Sequence, residues 1–236
     1  MRSGFVHSTY SGGMVDGPGI RYVVFLSGCP LRCKYCHNPD SWAKAGGKEM
    51  TVQQIMDDII TYKNFFRSSG GGVTISGGEP FMQPDFLLEI LLACKAEGIH
   101  TAIDTSGYAS EKQMYRILPQ ADLLLFDVKG HSPETFTNVT GVFQDKNKRM
   151  LEIARELDID TWARYVLVPG LTDDIAEITD LKKYLDTFPN VKRIDVLPFH
   201  KHGEDKWAAL KFDYELADTQ PPSKQLLAEV KEILRI

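Results

Sequence analysis

Six short runs rich in β-branched, aromatic and leucine residues punctuate the chain: YVVFL (22–26), VTIS (73–76), TAID (101–104), LLLFD (123–127), TWARYVLV (161–168) and VKRIDVL (191–197). Segments of helical period separate them. This alternation constrains the fold more than any other feature, because strands joined through helices build a mainly parallel sheet that helices must cover. The segment 51–66 opens with a capping box, Thr51 and Gln54, and carries Val52, Ile55, Met56, Ile59 and Tyr62 on one face before SSGGG stops it. Residues 84–97 place Leu87, Ile90, Leu91 and Cys94 at helical spacing and end at Gly98. Further helices are predicted over 110–118, 146–157, 174–188 and 223–234.

With 236 residues and 43% hydrophobic composition, the chain can bury one large core, since barrel-type α/β folds use about 200–250 residues as one domain. No repeat, low-complexity tract or linker divides it, so a single domain over 1–236 is expected. A net charge of -5 argues against a nucleic-acid partner. The N-terminal stretch has no apolar signal region, and no apolar run reaches the roughly 18 residues of a membrane span. A cytoplasmic protein without membrane contact is therefore expected, in which clustered cysteines are metal ligands or redox groups before they are disulfides.

Polar and glycine residues gather where the strands end: SGC, GGEP, DTSG, DVK and PFH. Any one is an ordinary turn or cap. Five together fit the rule that parallel α/β folds bind ligands beyond the carboxyl ends of their strands.

Three of the four cysteines lie in CPLRCKYCHNPD, spaced C-x3-C-x2-C, with His37 following the last. A structural zinc takes four ligands. Cys94 falls on an apolar helical stripe, and His37 could complete the set only in awkward geometry within so short a loop. CKYCH also has the literal C-x-x-C-H pattern of haem attachment, without an export signal or an obvious axial methionine. A 4Fe-4S cluster, normally held by four cysteines, would keep one iron free of protein ligands, and an open metal position serves chemistry rather than structure.

C-x3-C-x2-C with an aromatic, Tyr35, before the third cysteine resembles the signature of the radical S-adenosylmethionine superfamily, and GGEP (77–80) resembles its second motif. DGPGIR, CHNPD, SGGGVTISGGEP, GIHTAIDTSG, LLLFDVK, RYVLVPG and VLPFHKHG extend the likeness over nearly the whole chain to the glycyl radical activases that act on pyruvate formate-lyase. The resemblance implies a partial, splayed (β/α)6 barrel, whose open side would admit a polypeptide.

It also implies roles. Cys29, Cys33 and Cys36 would hold the cluster, with the fourth iron bound by the amino nitrogen and carboxylate of S-adenosylmethionine. The cluster would split that sulfonium into methionine and a 5'-deoxyadenosyl radical, which would take a hydrogen from a glycine of the partner. Tyr35, Gly77, Gly78, Glu79, Asp104, Lys129 and His200 would surround the cofactor. Asp104, Thr105, the Leu125 carbonyl and Asp127 would form a monovalent cation site, oxygen ligands suiting a hard cation. Asp16, Arg21, Asn38 and Arg164 would line the opening that receives the glycine loop, although Asp16 could equally cap the DGPG turn. Arg32 and Lys34 would attract a flavodoxin or ferredoxin electron donor, unless they are plain solubility charges. Two alternatives stand beside this expectation: an activase of another glycyl radical enzyme, and a non-catalytic zinc-binding interaction module.

Overall fold

The computed structural model describes residues 2–236. Its sheet has eight strands: β1 (Ser3–Gly13), β2 (Arg21–Leu26), β3 (Lys48–Thr51), β4 (Gly72–Gly77), β5 (Thr101–Thr105), β6 (Leu123–Val128), β7 (Thr161–Leu167) and β8 (Val191–Pro198). The helices are α1 (Val52–Ile60), α2 (Lys63–Ser69), α3 (Pro84–Ala96), α4 (Glu111–Ile117), α5 (Pro133–Thr140), α6 (Asp145–Glu156), α7 (Ile175–Leu185), α8 (Glu204–Ala209) and α9 (Lys224–Leu234).

Strand order is β3-β1-β2-β4-β5-β6-β7-β8. From β2 to β8 every pairing is parallel, which gives the six expected strands in sequential order. Among the described residues no pairing joins β8 to β3, so the sheet curls without closing. Its outer face carries Val24, Ile75, Ile103, Leu124 and Phe126 into one core with the helices. The inner face closes its floor with Ala102, Leu123 and Leu125, against which Trp162 packs. The outer face is therefore apolar, and the inner face, apolar at β5 and β6, turns polar toward the strand ends.

Four elements were not foreseen. β1 and β3 add antiparallel pairs at the β2 edge. β1 reads SGFVHSTYSGG, and most of its side chains are partly or fully exposed, so its backbone pairing leaves almost no hydrophobic pattern. α5 and α8 are short, and neither holds a full amphipathic repeat. The segment expected as one helix over 51–66 is two, α1 and α2, interrupted at Thr61 and Tyr62. The capping boxes at Thr51 and Ser110 both form.

Candidate active site

The upper ends of the parallel strands and the 27–42 loop enclose a cavity of about 440 Å³. The loop is tied at its neck: Gly28 N–H donates to Ser41 O at 2.7 Å and Cys29 N–H to Trp42 O at 3.1 Å. Its middle takes up free carbonyls at the end of α5, with Arg32 N–H donating to Thr140 O and Lys34 N–H to Val139 O. Cys29, Cys33 and Cys36 all line the cavity. Burial pushes their thiols up, Cys33 to about 12, so without a metal they are neutral at physiological pH. A bound cation would reverse that, because a coordinating thiol is deprotonated outright.

The second motif is stitched to this loop. Gly78 N–H donates to Leu26 O and Glu79 N–H to Gly28 O, both at 2.8 Å. Gly77 sits at φ +119, and a β-carbon on Gly78 would lie 2.4 Å from Gly28 O and 3.2 Å from Cys29 Cβ, so only glycine lets the β4 end approach the cysteine loop this closely. Glu79 does not line the cavity. It is fully buried, and its carboxylate accepts from Thr105 Oγ1 at 2.6 Å and from Ser106 N–H at 3.0 Å, with the Ser106 hydroxyl and Phe81 N–H completing the set. This carboxylate ties the β4 end to the β5 end.

Asp104, Asp127 and Arg164 face one another across β5, β6 and β7. Asp127 and Arg164 are register partners. Arg164 Nη1 lies 3.2 Å from Asp104 Oδ1, and its Nε lies 3.7 Å from Asp127 Oδ1. Lys129 Nζ holds the other Asp127 oxygen at 2.7 Å and sits 5.5 Å above the Tyr35 ring. Burial raises the Asp104 carboxyl despite Arg164, whereas at Asp127 Lys129 and Arg164 together outweigh burial and hold the carboxyl below its ordinary value. Asp104 Oδ1 and Arg164 Nε and Nη1 are buried without a hydrogen-bond partner. Such polar atoms at a cavity wall suit a further polar group, such as a carboxylate or a cation.

Tyr35, Gly77, Gly78, Thr105, Asp16, Asn38 and His200 also line the cavity. The structure does not bring Leu125 or Arg21 there. Leu125 is buried on the inner face, in register with Asp104. Arg21 lies fully buried at the opposite end of the strands, donating to Thr74 Oγ1 at 3.0 Å and to Val73 O. It reaches the rim indirectly, since Thr74 Oγ1 donates to Asp16 O at 2.5 Å.

Sequence reasoning missed several contributors. Ser76 Oγ donates to Asp104 at 2.6 Å, and Asn147 Nδ2 spans Ser106 O and Asp127 O at 2.7 and 3.2 Å. Trp42 and Leu197 are wall residues. Ser76 had a legible signal, standing next to GGEP on the cavity face of its strand. Asn147 had none, because it acts from a helix. Cys94 lies far from this loop, fully buried beside Met56 in the outer core.

Among the described residues no three Cys, His, Asp or Glu side chains converge closely enough to hold one ion. A mononuclear zinc needs its sulfurs about 2.3 Å from one centre. A cluster is held at separate irons, and three thiols spread around one cavity fit that donor set.

An open α/β barrel with three thiols around a cavity at its strand ends, a glycine-rich strand end against them and buried charges opposite is the architecture of a radical S-adenosylmethionine enzyme. Residues 23–181 match the Radical SAM superfamily. The chain is 42% identical to the pyruvate formate-lyase 1-activating enzyme of Escherichia coli (strain K12), covering 98% of this chain and 95% of the relative. It is likewise 42% identical to the pyruvate formate-lyase-activating enzyme of Clostridium pasteurianum, covering 100% and 98%. Among solved structures, a domain of pyruvate-formate lyase-activating enzyme from Bacteroides vulgatus ATCC 8482 superposes with TM-score 0.59 at 27% identity, covering 70% of this chain and 93% of that one. Streptococcus suis SuiB bound to precursor peptide SuiA shares the fold, with TM-score 0.68 at 19% identity, covering 90% of this chain and 45% of that one. The chain belongs to the pyruvate formate-lyase-activating enzymes of the Radical SAM superfamily.

Proposed function

We propose that this chain activates pyruvate formate-lyase by generating a glycyl radical on it. The observation that carries the reading is the joining, in one cavity, of three cysteines, the Gly77–Gly78 strand end and the Asp104, Asp127, Lys129 and Arg164 charges, in a chain 42% identical to named activases over almost its full length. When bound, a reduced 4Fe-4S cluster and S-adenosylmethionine supply methionine and a 5'-deoxyadenosyl radical that takes a hydrogen atom from a glycine.

The chain's own residues bind, orient and exclude water. Cys29, Cys33 and Cys36 hold the cluster. Gly77 and Gly78 offer backbone groups without side-chain obstruction. Lys129 carries the positive charge for the cofactor's carboxylate, and Tyr35 and His200 flank it. Asp104, Thr105 and Asp127 supply oxygens for a monovalent cation, with Arg164 as the competing resident charge. Glu79 serves through position, since both of its oxygens are taken internally. Asp16, Asn38 and Arg164 meet the partner's glycine loop, with Arg21 bracing Asp16 through Thr74. Phe25, Leu31, Val166 and Leu197 add apolar wall, which helps to keep water from a reactive intermediate.

The electron donor is assigned to a flavodoxin or ferredoxin. Arg32 and Lys34 lie beside the cysteines, but Arg32 already donates to Cys29 O and Leu31 O, and Lys34 pairs with Glu215, so their steering of an acidic donor is modest. No described helix is long and apolar enough to cross a membrane, and a cytoplasmic location is part of the proposal. The decisive measurement is electron paramagnetic resonance after anaerobic reconstitution with S-adenosylmethionine and pyruvate formate-lyase. A glycyl doublet is expected; a reducible cluster that yields no doublet on this partner rejects the substrate assignment and points to another glycyl radical enzyme.

A further inference from the structure

The chain's C-terminal part returns to the cysteine loop and grips it on one side. Trp207, in α8, donates its indole N–H to the carbonyl oxygen of Cys36 at 2.8 Å. One turn earlier, Gly203 presses so close that a β-carbon there would lie 2.7 Å from His37 Cα and 3.0 Å from Cys36 O. Lys206 bonds Asn38 Oδ1 at 2.8 Å and pairs with Asp40 at 3.0 Å. His37 Nε2 meets His200 O at 3.1 Å, and the two imidazoles stack at 4.1 Å. The Trp207 ring meets Trp42 edge-on at 5.2 Å, and the Arg32 guanidinium lies 4.7 Å over Trp42. Cys29 N–H is held by Trp42 O and the neighbours of Cys33 by the end of α5; the Cys36 N–H donates to Cys33 O, and its carbonyl is held by a segment about 170 residues further along the chain.

We propose that Trp207 is a positioning residue for the iron–sulfur cluster, fixing the peptide of Cys36 and thereby setting the cluster's reduction potential and its persistence in air. The inference rests on the reading of Cys36 as a cluster ligand. Groups just outside the ligands orient them and tune the metal, and cluster potential follows net charge, hydrogen bonds to the sulfurs and solvent exposure, the last two of which depend on how the Cys36 peptide is held. The Trp207 N–H offsets the negative end of the Cys36 carbonyl dipole, which otherwise adds negative potential beside a centre that gains charge on reduction, so it favours the reduced state. The indole and its aromatic neighbours also cover the Cys36 side of the loop.

Trp207→Phe keeps an aromatic ring and removes the donor. Gly203→Ala keeps the donor and pushes α8 off the loop. Each is reconstituted anaerobically beside the parent protein, with iron and sulfide content, circular dichroism, redox titration followed by electron paramagnetic resonance, and the rate of cluster bleaching in air. For Trp207→Phe the expectation is unchanged iron and sulfide content, a lower midpoint potential with about fivefold less reduced cluster at fixed applied potential, and bleaching about fivefold faster, the scale of one lost hydrogen bond. Gly203→Ala is expected to move both readouts in the same direction. A folded variant at either position with the parent's potential and bleaching rate overturns the proposal. Parent protein that binds no iron and sulfide overturns the cluster reading itself, which the elemental analysis reports separately.

Discussion

Arg164 lies between two buried carboxylates, and its removal has a sign that can be worked out. In Arg164→Met, Asp104 loses the charge that opposes its burial and Asp127 loses one of its two cationic neighbours. Leaving buried charge unpaired costs about 3 kcal/mol. The folded-state pKa of Asp104, already raised, rises further above its unfolded value, so the penalty is present above that folded value and fades as pH falls through it toward the unfolded one. In the parent protein Asp127 acts in the opposite sense: its depressed carboxyl contributes stability that is present at neutral pH and lost as pH falls through the folded value. Urea unfolding from pH 4 to pH 8 should therefore show parent and variant curves converging at the acid end. At this scale much of the site was legible. Cys29, Cys33 and Cys36 announce themselves by spacing, and Asp104, Asp127 and Lys129 by standing at strand ends. Glu79 was expected at the ligand and instead ties two strands together, because a carboxylate in a motif reads the same whether it faces a cofactor or two hydroxyls. Arg21 was likewise expected at the opening but is buried away from it, with burial lowering its pKa to about 10.

The joint between the end of β4 and the cysteine loop is the most exacting contact in the site. Gly78→Ala places a methyl group against Gly28 O and Cys29 Cβ, backbone and side chain that are both tied down. The strand end and the loop must separate by several tenths of an ångström. Because small misplacements in a preorganised site cost disproportionately, the variant should assemble its cluster yet bind S-adenosylmethionine about tenfold more weakly. Anaerobic calorimetric titration checks this, and affinity equal to the parent's rejects the close-approach argument. All six parallel strands were legible because buried strands need continuous apolar runs, and two helix starts were legible because capping boxes are local chemistry. β1 was not, since a strand exposed along much of its length satisfies its backbone without a hydrophobic pattern. α8 was not either: six residues, with Trp207 as their sole buried side chain, carry no periodicity to read.

Over the whole molecule one core runs unbroken along the outer face of the sheet, from Val6 in β1 to Leu234 in α9. The metal-free protein should therefore unfold as a single unit, with calorimetric and van't Hoff enthalpies in agreement. Two separated transitions would divide the chain where one domain is proposed. The sheet stays open between β8 and the N-terminal strands, which fits the proposed access of a glycine carried on another protein's loop. The alternation of strands and helices, the cysteine spacing and the polar strand ends were determined by the sequence alone, because each is written in neighbouring residues and each has a local physical cause. Which charges meet across the cavity, that Glu79 turns away from it, that Arg21 lies beneath it and that Trp207 reaches back to Cys36 were decided only in three dimensions. Those contacts join residues far apart in the chain, and nothing in a local pattern records the path by which a curled sheet brings them together.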